Sequence, residues 1–253
     1  MTSFSAGTVS PGTTHAVVLA AGDGGRFRLG EGPHKLLHPF LGRPLLLRTL
    51  EAARDAGILR VTIVLGYEAA RVRALVDEAR IPGLAISCVI NEEWDLENGV
   101  SVLAARDAVP GHFALLMGDH LFEPGVLRRL RSLALNPDES VLAVDTRPAE
   151  PAVADEATKV RLDGTRIVEI GKELVEFDAL DTGMFVCAPV LFEALERARA
   201  AGDTRLSGGI RDLAARGLMR AYDIGGAGWR DIDTVNDLVD AELAMTVRLP
   251  AAR

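Results

Sequence analysis

From His15 onward the chain alternates short apolar runs with amphipathic stretches of helical period. The runs Ala16–Ala20, Val61–Leu65, Leu84–Ile90 and Phe113–Met117 predict strands. Between and after them, Arg43–Ala56, Glu68–Arg80, Val100–Ala108 and Pro124–Leu133 predict helices. Short, nearly uninterrupted apolar strands separated by helices imply a mostly parallel sheet covered on both faces, which Val141–Asp145 continues. The pattern then changes. Ala157–Leu162 and Arg166–Ile170 flank Asp163-Gly164, a pair suited to tight hairpins, so antiparallel strands are expected there. Thr182–Cys187 predicts another strand, and Pro189 opens a helix running to Ala201. Ser207–Arg216 and Thr234–Met245 predict the last helices, the second N-capped by Thr234. Pro148–Asp155 reads as a mobile loop. The expected architecture is a single α/β domain over residues 15–247, preceded by a disordered tail over residues 1–14. Its sheet is Rossmann-like and mixed, mostly parallel, with helices on both faces and a small antiparallel subregion.

Composition narrows the functional classes. With 28 Lys and Arg against 36 Asp and Glu, the formal charge is −8. Such a chain lacks the basic face that non-specific nucleic-acid or membrane-surface binding needs, and must attract an anionic substrate through a local cluster of cations or metal. Cys88 and Cys187 lie in apolar runs and read as buried thiols of a reducing compartment. No apolar run approaches the roughly 18 residues of a membrane span, and Met1–Thr14 has no signal-peptide core. A cytoplasmic protein without membrane insertion is expected.

The densest chemical signal follows the first strand. Leu19-Ala20-Ala21-Gly22-Asp23-Gly24-Gly25-Arg26, with Lys35 beyond it, is a glycine-rich turn carrying two spaced cations. Glycines let backbone N–H groups approach phosphate oxygens closely, and the cations neutralise the remaining charge. Phe27 stands where a dinucleotide fingerprint needs its third glycine, and the Gly-Lys-Ser/Thr of a P-loop is missing. In such sheets ligands sit at the carboxyl ends of strands, where Gly66-Tyr67-Glu68 and Gly118-Asp119-His120 also fall. Asp119 is placed to hold Mg²⁺ against phosphate, or to turn the chain. Asp231 and Asp233, alternate residues of an extended segment, supply further carboxylates, or cap the final helix. Asn91–Ser101 either grips a hydroxyl-rich substrate or forms a loop with Trp94 as a lid. Lys172 is either a second phosphate contact or a solvated lysine. His34, His38 and His120 do not show metal-ligand spacing, and no Ser-His-Asp order supports a covalent nucleophile.

Taken together, these residues resemble the nucleotidyltransferase superfamily that condenses NTPs with sugar or alcohol phosphates. Leu19–Arg26 matches its Leu-Ala-Ala-Gly-x-Gly-x-Arg loop in full. Pro33-His34-Lys35 has one residue between the usual Pro and Lys, Gly118-Asp119 matches the metal motif, and Trp229–Thr234 matches the late acidic motif. Glu97–Ser101, Met117–His120, Ile170–Lys172, Asp181–Gly183 and Leu206–Ile210 resemble CTP:inositol-1-phosphate cytidylyltransferases in particular. The resemblance implies Mg²⁺-dependent transfer of a cytidylyl group to inositol 1-phosphate. Lys35 and Arg26 would be catalytic, and Leu19, Ala20, Ala21, Gly22, Gly24, Gly25, Gly66 and Asn91 would bind nucleotide. Asn98, Ser101, Lys172 and Asp181 would face the acceptor, with Asp119, Asp233 and Asp231 on the metal. It also implies that a separate membrane CDP-alcohol phosphotransferase takes the product. Another NTP or acceptor (sugar phosphate, phosphocholine or molybdopterin) and a non-catalytic protein on the same fold are the alternatives. Phe27 disfavours an NAD-type oxidoreductase.

Overall fold

The computed structural model describes residues 12–27, 34–147 and 156–248; the side chains of Arg26 and of residues 245–248 lie outside that description. The loop expected at Pro148–Asp155 and residues 1–11 of the expected tail lie outside it as well. Strand β1 (His15–Ala20) sends both faces into apolar layers. Ala16, Val18 and Ala20 pack with Leu46, Leu50 and Ile63, while Val17 and Leu19 pack with Leu115, Phe185 and Ile210. Two-sided burial is why its sequence runs apolar without alternation.

After β1 the chain makes a short antiparallel pair, β2 (Pro39–Phe40) with β3 (Arg43–Pro44), where the sequence predicts the start of a helix. Pro44 accounts for the difference: it biases Arg43 towards extended backbone and itself stays outside the helix Leu45–Asp55. Strand β4 (Arg60–Leu65) pairs in parallel with β1 and with β5 (Ala85–Ile90), and β1 pairs in parallel with β6 (Phe113–Met117). Strand β7 (His120–Phe122) leaves this sheet immediately afterwards.

The second half is less parallel than expected. Strand β8 (Ser140–Asp145) is followed by the hairpin β9 (Lys159–Asp163) and β10 (Arg166–Gly171), turning at Asp163-Gly164 as predicted. Strand β11 (Ala179–Cys187) runs antiparallel to both β6 and β8, although it sits in mid-sheet. An apolar run carries no direction, and β11 follows β10 by a loop rather than the crossover helix that parallel pairing requires. Strand β12 (Met219–Asp223), not anticipated from the sequence, lies parallel to β8, and β10 pairs antiparallel to it. The resulting order among the described residues is β5-β4-β1-β6-β11-β8-β12-β10-β9, with a further β9–β11 contact. Strand β13 (Trp229–Asp231) pairs with β7 in a separate two-stranded ribbon. A small cluster of Phe27, Phe40, Leu45, Ile232 and Leu238 ties the glycine loop, the hairpin and the final helix Val235–Arg248 together. Phe27, which breaks the dinucleotide fingerprint, is the buried anchor of the loop.

Candidate active site

The carboxyl ends of β1, β4 and β6 and the end of β13 meet at one edge, beside a cavity of about 940 Å³. The glycine loop is held there by its own backbone. Phe27 N–H donates to Gly24 O at 2.8 Å, and Gly25 N–H to an Asp23 carboxylate oxygen at 3.1 Å. His34 fastens the far side. Its Nε2 lies 2.8 Å from Gly22 O and its Nδ1 accepts from Leu36 N–H at 3.3 Å, a pairing that places the proton on Nε2. Behind the loop, Tyr67 N–H donates to Ala21 O at 2.9 Å; a Cβ on Gly66 would meet that same oxygen at 2.7 Å. The glycine therefore lets two chain segments touch.

Lys35, buried at 8% exposure, points its Nζ to Asp119 Oδ2 at 2.6 Å and Asp233 Oδ1 at 3.2 Å. Burial alone would depress the ammonium, but Asp119, then Asp233 and Asp231, outweigh it and raise the pKa above its ordinary value. His120 is the second cation. Register partners His120 and Asp231 stand opposite each other on β7 and β13, with Nε2 3.3 Å from Asp231 Oδ1 and 3.8 Å from Asp119 Oδ1. Burial opposes protonation of this ring too, yet Asp231, Asp119 and the Thr182 carbonyl raise its pKa to about 10. Its Nδ1–H donates to Thr182 O at 3.0 Å. Gly183, at φ +72°, leaves room for the ring, since a Cβ there would strike His120 Cε1 and Nδ1. Asp231, despite its burial, is held well below the usual carboxylate range by His120 and Lys35.

The chemistry of this set suits a divalent cation. Asp119, His120 and Asp231 each offer a ligand atom within 4.8 Å of the others. Asp231 Oδ1 is buried and, among the described residues, meets His120 Nε2 at 3.3 Å without an aligned hydrogen bond, an oxygen that a divalent cation could also bind. His120 therefore stands within a group that its sequence spacing did not reveal, a cation beside the two carboxylates that could ligate a metal only after losing its Nε2 proton. Asp233 meets the same Lys35 ammonium as Asp119. Two cations facing three carboxylates nearly neutralise the cluster.

The remaining predicted residues separate into two sets. Leu19, Ala21, Gly22, Asn98, Ser101, Lys172 and Asp181 line the cavity, whereas Ala20 is packed in the core. Asn91 is buried with its amide committed: Nδ2–H donates to Ser101 Oγ at 3.0 Å and Oδ1 accepts from Glu93 N–H at 3.0 Å. Asn98 Oδ1 accepts from Leu206 N–H at 2.9 Å, which docks the helix Leu206–Ala215 against the cavity wall. Asp181 Oδ1 accepts from Gly183 N–H at 2.7 Å, and burial raises its carboxyl pKa to about 6.

Three participants escape sequence reasoning. Thr49 Oγ1 lies 3.1 Å from both Gly118 O and His120 O, so one hydroxyl in mid-helix braces the turn that carries Asp119. Asp145, at the end of β8, accepts from Arg147 Nε and Nη2 at 2.9 and 2.6 Å and from Trp229 Nε1–H at 2.8 Å. Asp145, Arg147 and Trp229 all line the cavity. The placement of Arg147, two residues past the apolar run of β8, was the available signal.

Residues 16–215 match the MobA-like NTP transferase domain. The chain belongs to this family. Among curated relatives, the bifunctional IPC transferase and DIPP synthase of Rubrobacter xylanophilus is 40% identical over 88% of the chain and 50% of the relative. The protein of that name from Aquifex aeolicus is 33% identical over 90% and 50%. The chain thus spans about half the length of these relatives. The CMP-5'-(3-aminopropyl)phosphonate synthase of Streptomyces rubellomurinus is 34% identical over 90% of the chain and 38% of that protein. Among solved structures, the inositol-1-phosphate CTP transferase from T. maritima superposes with a TM-score of 0.80 at 25% identity, covering 95% of this chain and 99% of that one. The single-domain, mixed α/β nucleotidyltransferase fold expected from the sequence is the fold observed.

Proposed function

We propose that this NTP transferase domain moves a cytidylyl group from CTP to inositol 1-phosphate, yielding CDP-inositol and pyrophosphate. The observation that carries the reaction class is the convergence of Lys35, Asp119, His120, Asp231 and Asp233 beside the glycine loop and a large cavity. The choice of substrates is supported by the T. maritima structure, whose name states both of them.

In this reading an oxygen of the acceptor phosphate attacks the α-phosphorus of CTP in line. A new P–O bond forms, the bond from the α-phosphorus to its bridging oxygen breaks, and pyrophosphate leaves with that electron pair. The nucleophile is already an anion, so no base is needed; rate enhancement comes from positioning and charge neutralisation. The amides of Gly22 and Gly24, the Gly25 amide once released from Asp23, and the Arg26 side chain would hold the triphosphate. Asp119, Asp231 and Asp233 would hold Mg²⁺, which when bound supplies charge neutralisation at the phosphates. Lys35, displaced from its carboxylates, would turn its ammonium to the α-phosphate. Asn98, Ser101, Lys172 and Asp181 would face the acceptor. The site would work in the cytoplasm, its product consumed by a membrane CDP-alcohol phosphotransferase.

Pyrophosphate release from four NTPs, each against inositol 1-phosphate, glucose 1-phosphate, phosphocholine, molybdopterin and 3-aminopropylphosphonate, tests the reading. CTP with inositol 1-phosphate should turn over fastest. A second reading, with a phosphonate as acceptor, is favoured by the Streptomyces relative; preferential turnover of 3-aminopropylphosphonate would replace the first.

A further inference from the structure

The carboxylate of Asp145 joins the end of β8 to the β13 side of the site, beside a second link from Arg147 Nη1 to Gly226 O at 3.3 Å. It is buried at 7% exposure at the end of β8 and receives four hydrogen bonds from two residues. Three come from Arg147, whose backbone N–H, Nε and Nη2 grip both oxygens, leaving a half-exposed guanidinium on the cavity wall. The fourth comes from Trp229 Nε1–H, on the first residue of β13. That strand is three residues long and pairs only with β7, itself three residues long. A ribbon this short is not stable by itself. Yet it carries His120 and Asp231 in register, and Ile232 N–H closes its end on Asp119 O at 3.3 Å. Its attachments to the body of the protein are therefore decisive. Thr49 braces the β7 side through the carbonyls of Gly118 and His120. Asp145 braces the β13 side.

We propose that Asp145 is a positioning residue for the transfer reaction. One carboxylate fixes the metal-side ribbon through Trp229 and, through Arg147, presents a guanidinium to the acceptor end of the cavity, where an anionic phosphate would meet it. This rests on the nucleotidyl-transfer reading for its acceptor half, whereas the ribbon half concerns the protein alone. Hydrogen bonds to a charged group are worth about 1.5–3 kcal/mol, so each arm should move its own observable roughly tenfold or more.

Asp145→Asn, Trp229→Phe and Arg147→Gln separate the arms. Trp229→Phe keeps an aromatic ring and removes the N–H donor together with the pyrrole half of the indole, and Asp145→Asn controls for that lost volume. It should raise backbone hydrogen exchange in residues 120–122 and 229–232 of the ligand-free protein about tenfold, with β1 and β4 unchanged, and raise the Mg²⁺ concentration for half-maximal turnover by a similar factor. Its KM for acceptor should stay at the wild-type value. Arg147→Gln should raise acceptor KM about tenfold and leave ribbon exchange and Mg²⁺ demand alone. Asp145→Asn should do both. Ribbon exchange unchanged in Trp229→Phe and Asp145→Asn, or kcat and melting temperature falling in Asp145→Asn with neither Mg²⁺ demand nor acceptor KM moved, would overturn the proposal. Should wild type fail to turn over CTP with inositol 1-phosphate, the functional reading falls while the exchange measurement still judges the clamp.

Discussion

Gly183→Ala is the sharpest perturbation that the site permits, because Gly164 provides its control. Both glycines have left-handed backbone, φ +72° and φ +60°, so alanine at either position carries the same penalty of about 1–2 kcal/mol. They differ in what a Cβ would meet. At Gly164, on the tip of the β9–β10 hairpin, nothing lies within 4 Å; at Gly183 the new carbon would overlap the His120 ring and stand 3.2 Å from Met117 Cγ. Relief requires the charged imidazole to move and give up its hydrogen bond to Thr182 O, adding about 1.5–3 kcal/mol. Gly183→Ala should therefore melt about 3–12 °C below Gly164→Ala in differential scanning calorimetry. The functional difference should be larger. A shift on the order of 1 Å in His120 displaces Asp231 with it, and misplacement of that size can cost about 10²-fold in rate. Pyrophosphate release should fall by about that factor in Gly183→Ala and stay near wild type in Gly164→Ala. Equal melting temperatures with equal kcat/KM in the two variants would refute the assignment of His120 and its glycine socket to the machinery of the site.

Lys35→Gln should lower kcat roughly 10²–10³-fold with CTP binding changed much less, as measured by burst and steady-state pyrophosphate release; a loss under tenfold would remove Lys35 from the transition state. Asp119→Asn, and chelation of the wild-type enzyme, should each abolish turnover, with added Mg²⁺ restoring only the chelated sample; magnesium-dependent activity in Asp119→Asn would show the metal assignment to be wrong. Thr49→Val leaves the Gly118 and His120 carbonyls without that donor and should cost about 1–3 kcal/mol in urea unfolding, most of it absent if water replaces the hydroxyl. Asp203 is held at about 2 by hydrogen bonds from Arg205, below its ordinary 3.8. A depressed carboxyl stabilises the fold above its unfolded pKa, so the stability gap between wild type and Asp203→Asn should be constant at neutral pH and close as pH falls from about 4 to about 2. A gap that persists at pH 2 would assign it to packing instead.

Sequence reasoning located most of this site because the relevant signals are local. The glycine loop and Asp119 closely follow apolar runs, Lys35 lies shortly beyond that loop, and strand ends of a doubly covered sheet are where ligands gather. Phe27 was legible only as an exclusion; its burial with Ile232 and Leu238 depends on residues more than two hundred positions away. His120 was set aside because metal spacing is judged along the chain, whereas its partner Asp231 arrives across the β7–β13 ribbon. Thr49 gave no signal, since a threonine on an amphipathic helix looks the same whether or not two carbonyls lie above it. The direction of β11 was equally hidden, for hydrophobic pattern reports burial and not polarity. Asn91, read as a nucleotide contact, has its amide spent on Ser101 and Glu93, a commitment visible only once those loops are in place.

The reversal of β11 has an evolutionary consequence. Its neighbours β6 and β8 reach the cavity edge with their last residues, but β11 reaches it from its N-terminal half, at Leu180, Asp181 and Gly183, soon after the connection from β10. That edge is therefore written by two separate portions of the gene. One comprises the loops that leave β1 and β6, which in the proposed reaction would address the triphosphate; the other, from Lys172 to Asp181, reaches the same edge from β10. Insertions or replacements in the second portion leave the first unshifted in register. On the proposed reading, changes in the second portion would alter the acceptor side while the glycine loop and its carboxylates stayed in place.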